Sequence, residues 1–139
     1  MKHSRLALIF SLALALPVLA VACGTGELTD SGYENTTIKH AHDHWLQGKN
    51  SSVPFLFLDV RTPGEYANGH IPGARLIPMQ ELANRIGEVP RNKQVYVYCE
   101  SGGRSTRAAK MLAEAGLTNI ENIPASMAGW RKAGYPIEK

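Results

Sequence analysis

One cysteine stands where a nucleophile would be placed. The run V-Y-V-Y-C-E-S-G-G-R-S, Val95 to Ser105, starts with β-branched and aromatic residues and ends in a Gly-rich turn. Its apolar part reads as a buried parallel strand. The T-R-A-A-K-M-L-A-E-A that follows has helix-forming composition. Cys99 therefore falls at the carboxyl end of a strand and faces a helix N-terminus, the place where open α/β sheets bind ligands. Backbone N–H groups of Glu100 to Ser105 would curl round the sulfur as a nest, and the helix dipole would add to their field. Both favour thiolate over thiol, so Cys99 should titrate below the free-cysteine value of about 8.5. A thiolate in an anion cradle is a nucleophile for sulfur, phosphorus or arsenic electrophiles. A core cysteine would lie within a strand or on a helix face. Cys99 instead meets Glu-Ser-Gly-Gly-Arg.

Two other stretches carry reactive residue types. H-A-H-D-H places His40 and His44 one helical turn apart, a spacing at which two imidazoles can share a metal ion. His42 can join Ile38, Ala41 and Trp45 on the apolar face of the same helix. The spacing supplies no third ligand, so the pattern is read as a helix face bearing histidines, and no metal or cofactor is assigned. Cys23 is the second of the two cysteines. It lies at the end of a leader-like segment, so a structural disulfide to Cys99 is not expected.

That segment is a basic start, Met1 to Arg5, followed by an apolar stretch from Leu6 to Val21 broken only by Ser11 and Pro17. It reads as a secretory signal peptide over residues 1–22 rather than as a membrane span. Ala20-Val21-Ala22 suits ordinary signal cleavage. Leu19 to Cys23 also resembles a lipobox, with the preferred Leu one place early, and that reading makes Cys23 a lipidated N-terminus. Either way the chain is expected to be exported to the periplasm, with membrane attachment through Cys23 in the second case. Residues 23–36 are polar and rich in Gly, Ser and Thr, and read as a flexible tether.

The globular part is expected from residue 37 to 139, a usual size for one domain. Thr37 or Thr36 caps a helix from Ile38 to Gln47. A strand runs from Phe55 to Val60. Thr62 then caps a helical turn with Pro63 at its first position. Breakers fill Gly69 to Ala74, where His70 is expected to hold the loop. Arg75 to Pro78 reads as a short strand and Met79 to Ile86 as a helix. After the Cys99 loop and its helix, Gly116 forms the cap. Asn119 to Ile123 is a last strand and Met127 to Ala133 a last helix. Alternating strands and helices predict an α/β domain with a mainly parallel sheet.

Charge limits the partners. The formal net charge is +3, but taking Lys2 and Arg5 from the 15 basic residues leaves 13 against 12 acidic ones. There is no basic stripe with interleaved aromatics, so no nucleic-acid partner is expected.

Three ordered motifs, L-D-V-R-T-P-G-E-Y-A-N-G-H-I-P-G-A-R-L-I-P (Leu58 to Pro78), C-E-S-G-G-R-S (Cys99 to Ser105) and W-R-K-A-G-Y-P (Trp130 to Pro136), resemble those of single-domain rhodaneses. The exported, stand-alone form is similar to the phage-shock rhodaneses of bacteria. The resemblance implies a sheet of about five mainly parallel strands with helices on both faces. It implies a sulfurtransferase, expected to act as a monomer, that takes a sulfane sulfur from thiosulfate or a persulfide onto Cys99 and passes it to cyanide or a thiol.

On this reading Ser101, Gly102, Gly103, Arg104 and Ser105 hold the persulfide, with Gly102 and Gly103 supplying the unusual backbone angles. Arg104 either contacts the donor anion or pairs with a carboxylate. Ser105 caps the helix or lends a hydroxyl. Asp59 and Arg61 orient the site, and Arg61 with Glu65 is a candidate ion pair. The C-x4-R spacing is one residue shorter than the C-x5-R of related phosphatases and arsenate reductases, which favours sulfur. Two departures stand out. Glu100 puts an acid in the loop, which would disfavour a dianionic donor by roughly 1 kcal/mol and favour a persulfide or polysulfide. Ala125-Ser126 replaces the usual Gly-Gly. The competing functions are a docking rhodanese-like module, which would have no need of an activated thiol in an intact cradle, and a redox sensor in which Cys99 forms a sulfenic acid or a mixed disulfide.

Overall fold

The sequence places its most apolar runs where the sheet is deepest. A computed structural model describes residues 26–139. In chain order these form β1 (Glu27–Leu28), β2 (Glu34–Asn35), α1 (Ile38–Gln47), β3 (Phe55–Asp59), α2 (Pro63–Ala67), β4 (Arg75–Leu76), α3 (Leu82–Arg85), β5 (Gln94–Tyr98), α4 (Gly103–Glu114), β6 (Ile120–Asn122) and α5 (Ser126–Lys132). The six strands make one sheet in the order β1-β2-β6-β5-β3-β4. Every pairing is parallel except β1 with β2. β3 and β5 pair along their whole length, with Phe55 opposite Gln94 and Asp59 opposite Tyr98.

Both faces of β3 and β5 are covered, which is why their sequences are apolar except at Asp59, the last residue of β3, and Gln94, the first of β5. On one face Leu58, Val95, Val97 and Cys99 pack with Leu82 of α3 and Ala108, Ala109 and Leu112 of α4. On the other, Phe57, Tyr96 and Tyr98 pack with Ala41 of α1 and Met127 and Trp130 of α5. The strand's alternation therefore decides that Cys99 lies on the α4 side.

Local signals act as read. Thr37 caps α1 by accepting the His40 N–H at 3.1 Å. Thr62 and Glu65 form a reciprocal capping box at α2. After α4 the N–H groups of Gly116 and Leu117 donate to Ala113 O and Leu112 O, a Schellman closure with Gly116 at φ +81°. Other expectations are corrected. Part of the stretch 23–36, read as a tether, is an ordered hairpin. β2 joins β6 and Tyr33 is buried in the core, so the sheet has six strands rather than about five. The Met79–Ile86 helix shrinks to α3 followed by a single 3-10 turn. Residues 1–22 and Cys23 lie outside the described residues. Among those described, no helix is long and apolar enough to cross a membrane.

Candidate active site

The end of β5 delivers Cys99 into a closed ring of donors. Its sulfur is buried, with 1% of the residue exposed. The Gly102 N–H donates to Cys99 Sγ at 3.1 Å. Gly102 has φ +98°, and a Cβ there would sit 2.4 Å from Pro124 O, so glycine is required twice over. Gly103 is different. It begins α4 with ordinary helical angles and open space around it, so the expectation that both glycines bend the loop holds for Gly102 alone.

Helix α5 fixes the loop from below. Met127 N–H donates to Cys99 O and Ala128 N–H to Glu100 O, each at 3.0 Å. Ser126 Oγ accepts the Cys99 N–H at 3.1 Å and lies 3.7 Å from Cys99 Sγ. Ser105 is the third residue of α4, so it is not the cap; Gly102 takes that place. The Ser105 hydroxyl donates to Gly102 O at 3.0 Å and sits 3.4 Å from Ser126 Oγ. Burial alone pushes the Cys99 thiol up. Hydrogen bonds from the Ser105 N–H and hydroxyl, the Ser126 hydroxyl and the Gly102 N–H outweigh it, and the net shift is downward, toward thiolate.

A charged frame surrounds this ring. Asp59 and Arg61 are buried and grip each other. Arg61 Nε lies 3.0 Å from both Asp59 carboxylate oxygens, and Nη2 lies 2.7 Å from Oδ2. Arg61 Nη2 also donates to Gly69 O at 2.8 Å, and Nη1 reaches Glu100 Oε2 at 3.3 Å. The expected Arg61–Glu65 pair does not form. The buried Arg61 guanidinium takes the buried Asp59 carboxylate at the end of β3, and Glu65 turns to Arg104 instead, at 2.6 and 2.7 Å. Arg104 thus follows the bracing alternative. The Arg104 guanidinium, helped by Thr62, holds the Glu65 carboxyl down at about 2. Glu100 is not an isolated charge, because it lies between Arg61 and Arg131. Ser101 is exposed on the loop's outer side.

The histidines go elsewhere. His42 stacks on Tyr135, ring centroids 3.6 Å apart, and on Trp45. His44 Nδ1 lies 2.8 Å from Tyr96 Oη, and its Nε2 lies 2.7 Å from Ser51 Oγ and 2.9 Å from Val53 O. Among the described residues no three His, Cys, Asp or Glu side chains gather as a metal-binding group. His70 does hold its loop, through Tyr66 O and Glu138 Oε1, both at 3.0 Å. The sequence did not single out Arg131, which gave no signal beyond its place in the last motif. Ser126 was visible only as a departure from Gly-Gly.

The family model for the rhodanese-like domain matches residues 42–133. The chain belongs to the rhodanese family. It is 38% identical to a protein named sulfurtransferase from Allochromatium vinosum over 59% of this chain and 77% of that one. To the thiosulfate sulfurtransferase PspE of Escherichia coli it is 43% identical, over 59% and 69%. The chain spans only 58% and 45% of two Bacillus subtilis relatives. Among solved structures, a rhodanese-related protein from Thermoplasma volcanium superposes with a TM-score of 0.64 at 31% identity, over 75% of this chain and 96% of that one. The rhodanese relatives with sulfurtransferase names support sulfur transfer as the general chemistry of this domain.

Proposed function

We propose that this rhodanese is a sulfurtransferase working through a Cys99 persulfide. The observation that carries the proposal is the convergence of the Gly102 N–H and the Ser105 and Ser126 groups on one buried sulfur whose titration they pull down. In the loading step the Cys99 thiolate attacks the outer sulfur of the donor. A new S–S bond forms, the donor's own S–S bond breaks, and its electron pair leaves with sulfite or a thiolate. In the discharge step cyanide or a thiolate attacks the terminal sulfur. The Cys99 Sγ–S bond breaks and its electron pair returns to Sγ. The loop N–H groups hold the anionic persulfide, as an oxyanion hole holds oxygen. Asp59 and Arg61 act as positioning residues that tie the end of β3 to Glu100 in the loop.

Both thiosulfate and persulfide donors fit this reading, because Arg61 and Arg131 compensate the Glu100 charge. The test is steady-state turnover of the purified protein with thiosulfate and with a low-molecular-weight persulfide, using cyanide as acceptor. Turnover should rise with pH as Cys99 ionises, with a midpoint below that of a free thiol, and Cys99→Ser should abolish it. Glu100→Gln should favour thiosulfate over the persulfide. Wild-type protein silent with both donors would contradict the proposal. Export to the periplasm, with anchoring through Cys23, belongs to the same reading. Cys23→Ala should then move the protein from the membrane fraction to the soluble fraction.

A further inference from the structure

Ser126 is the single non-glycine with a positive φ among the described residues, at +50°. That left-handed conformation is strained for a residue with a side chain and persists only where its surroundings impose it. Glycine would adopt it freely. The side chain is fully buried, so its hydroxyl gains nothing from solvent. The hydroxyl instead accepts the Cys99 N–H, lies 2.9 Å from Ile123 O, and stands 3.7 Å from Cys99 Sγ. Strain at this position places one hydroxyl against the nucleophile.

A hydroxyl has one proton, and two acceptors compete for it. Ile123 O is the nearer and takes it when the sulfur is neutral. Cys99 Sγ attracts it when the sulfur carries charge. The charge on Sγ differs between the two half-reactions. In a persulfide the charge sits on the terminal sulfur, so Sγ is a weak acceptor. As the acceptor molecule pulls that sulfur away, Sγ becomes a thiolate leaving group and the hydroxyl can swing to it.

We infer that Ser126 is a catalytic residue of the discharge half-reaction, donating a hydrogen bond to Cys99 Sγ as the persulfide bond breaks. The inference rests on the sulfurtransferase reading. It assigns unequal effects to the two steps. A donor to Sγ stabilises the leaving thiolate and so speeds discharge. In loading, the same bond raises the thiolate fraction but lowers its nucleophilicity, so above the thiol midpoint its loss changes the rate little. No proton is transferred in either step.

The test uses the full chain with Ser126→Gly and Ser126→Ala, in single-turnover loading from a donor in excess and, separately, single-turnover discharge to cyanide. Thiolate absorbance gives the Cys99 titration midpoint. Both variants should discharge about five- to tenfold more slowly and load at near wild-type rate above the midpoint. The midpoint should rise by roughly half to one pH unit. Both variants strand the Cys99 N–H and should lose stability, Ser126→Gly less than Ser126→Ala because only glycine relieves the positive φ. A purely structural serine would slow both steps together. That result, or unchanged discharge and midpoint, overturns the inference. Failure of the wild type to load sulfur from any donor would instead remove the transfer reading itself.

Discussion

Two buried ionisable groups lie three residues apart, one on β5 and one just past its end, and their titrations are driven in opposite senses. Tyr96 sits in the middle of β5 under α1, and Cys99 follows its last residue. Around Tyr96, burial dominates. The phenol is pushed well above its usual range, and neighbouring Glu121 is pushed up as well, both toward their neutral forms. His44 and Tyr96 satisfy each other at 2.8 Å, and His40 Nε2 is 3.4 Å from the same oxygen. Around Cys99 the burial is as deep, but donors from the loop, α4 and Ser126 favour the charged sulfur, and the net shift is downward. Burial alone makes a quiet polar cluster. Burial with converging donors makes a nucleophile.

The largest break in this comparison is expected at Asp59. Asp59→Ala would strand the buried Arg61 guanidinium, and removing one partner of a buried pair costs about 3–5 kcal/mol. Chemical denaturation should show that loss, with sulfur loading impaired even where the protein stays folded. Next is the glycine pair. Gly102→Ala forces a Cβ into Pro124 O at a left-handed φ and should remove loading, with destabilisation of about 2–3 kcal/mol. Gly103→Ala, one residue on, should stay within about 0.5 kcal/mol of wild type and keep its activity.

The Tyr96 end should respond in the reverse manner. His44→Ala leaves the Tyr96 hydroxyl without its best partner and should cost about 1–2 kcal/mol, yet leave loading at the wild-type rate. A large loss of loading there would erase the distinction between the two ends.

A smaller loss than at Asp59 or Gly102 is expected at the rim. Glu65, held at about 2 by Arg104, contributes stability that is fully present above its unfolded value of 4.5. That contribution is lost as pH falls from 4.5 toward 2. Both side chains are about 30% exposed, so solvent screening leaves it at about 1 kcal/mol. Arg104→Ala should remove this acid-side component of the stability curve.

Most of this frame is legible in the sequence, because the elements that build it carry dense local signals. The apolar runs of β3 and β5, the Thr37 and Thr62 caps and the Gly-rich turn each declare themselves within a few residues. The hairpin of β1 and β2 does not, since two-residue strands have no period and gain their order from each other and from the pairing of β2 with β6. At the site, Cys99, Gly102 and Ser105 are readable because chain continuity brings them together. The ion pairs are not. Arg61 reaches Glu100, and Glu65 chooses Arg104, each 39 residues away in sequence, according to which strand ends and helices the fold brings side by side. Ser126 is 27 residues from Cys99 in sequence and reaches it only because α5 begins beneath the loop.

The most direct measurement is intact mass of the purified protein before and after exposure to thiosulfate or a persulfide donor, with Cys99→Ser in parallel. A gain of one sulfur that cyanide removes, absent in Cys99→Ser, is the predicted result. No gain from any donor, or an equal gain in the serine variant, would contradict the persulfide at Cys99.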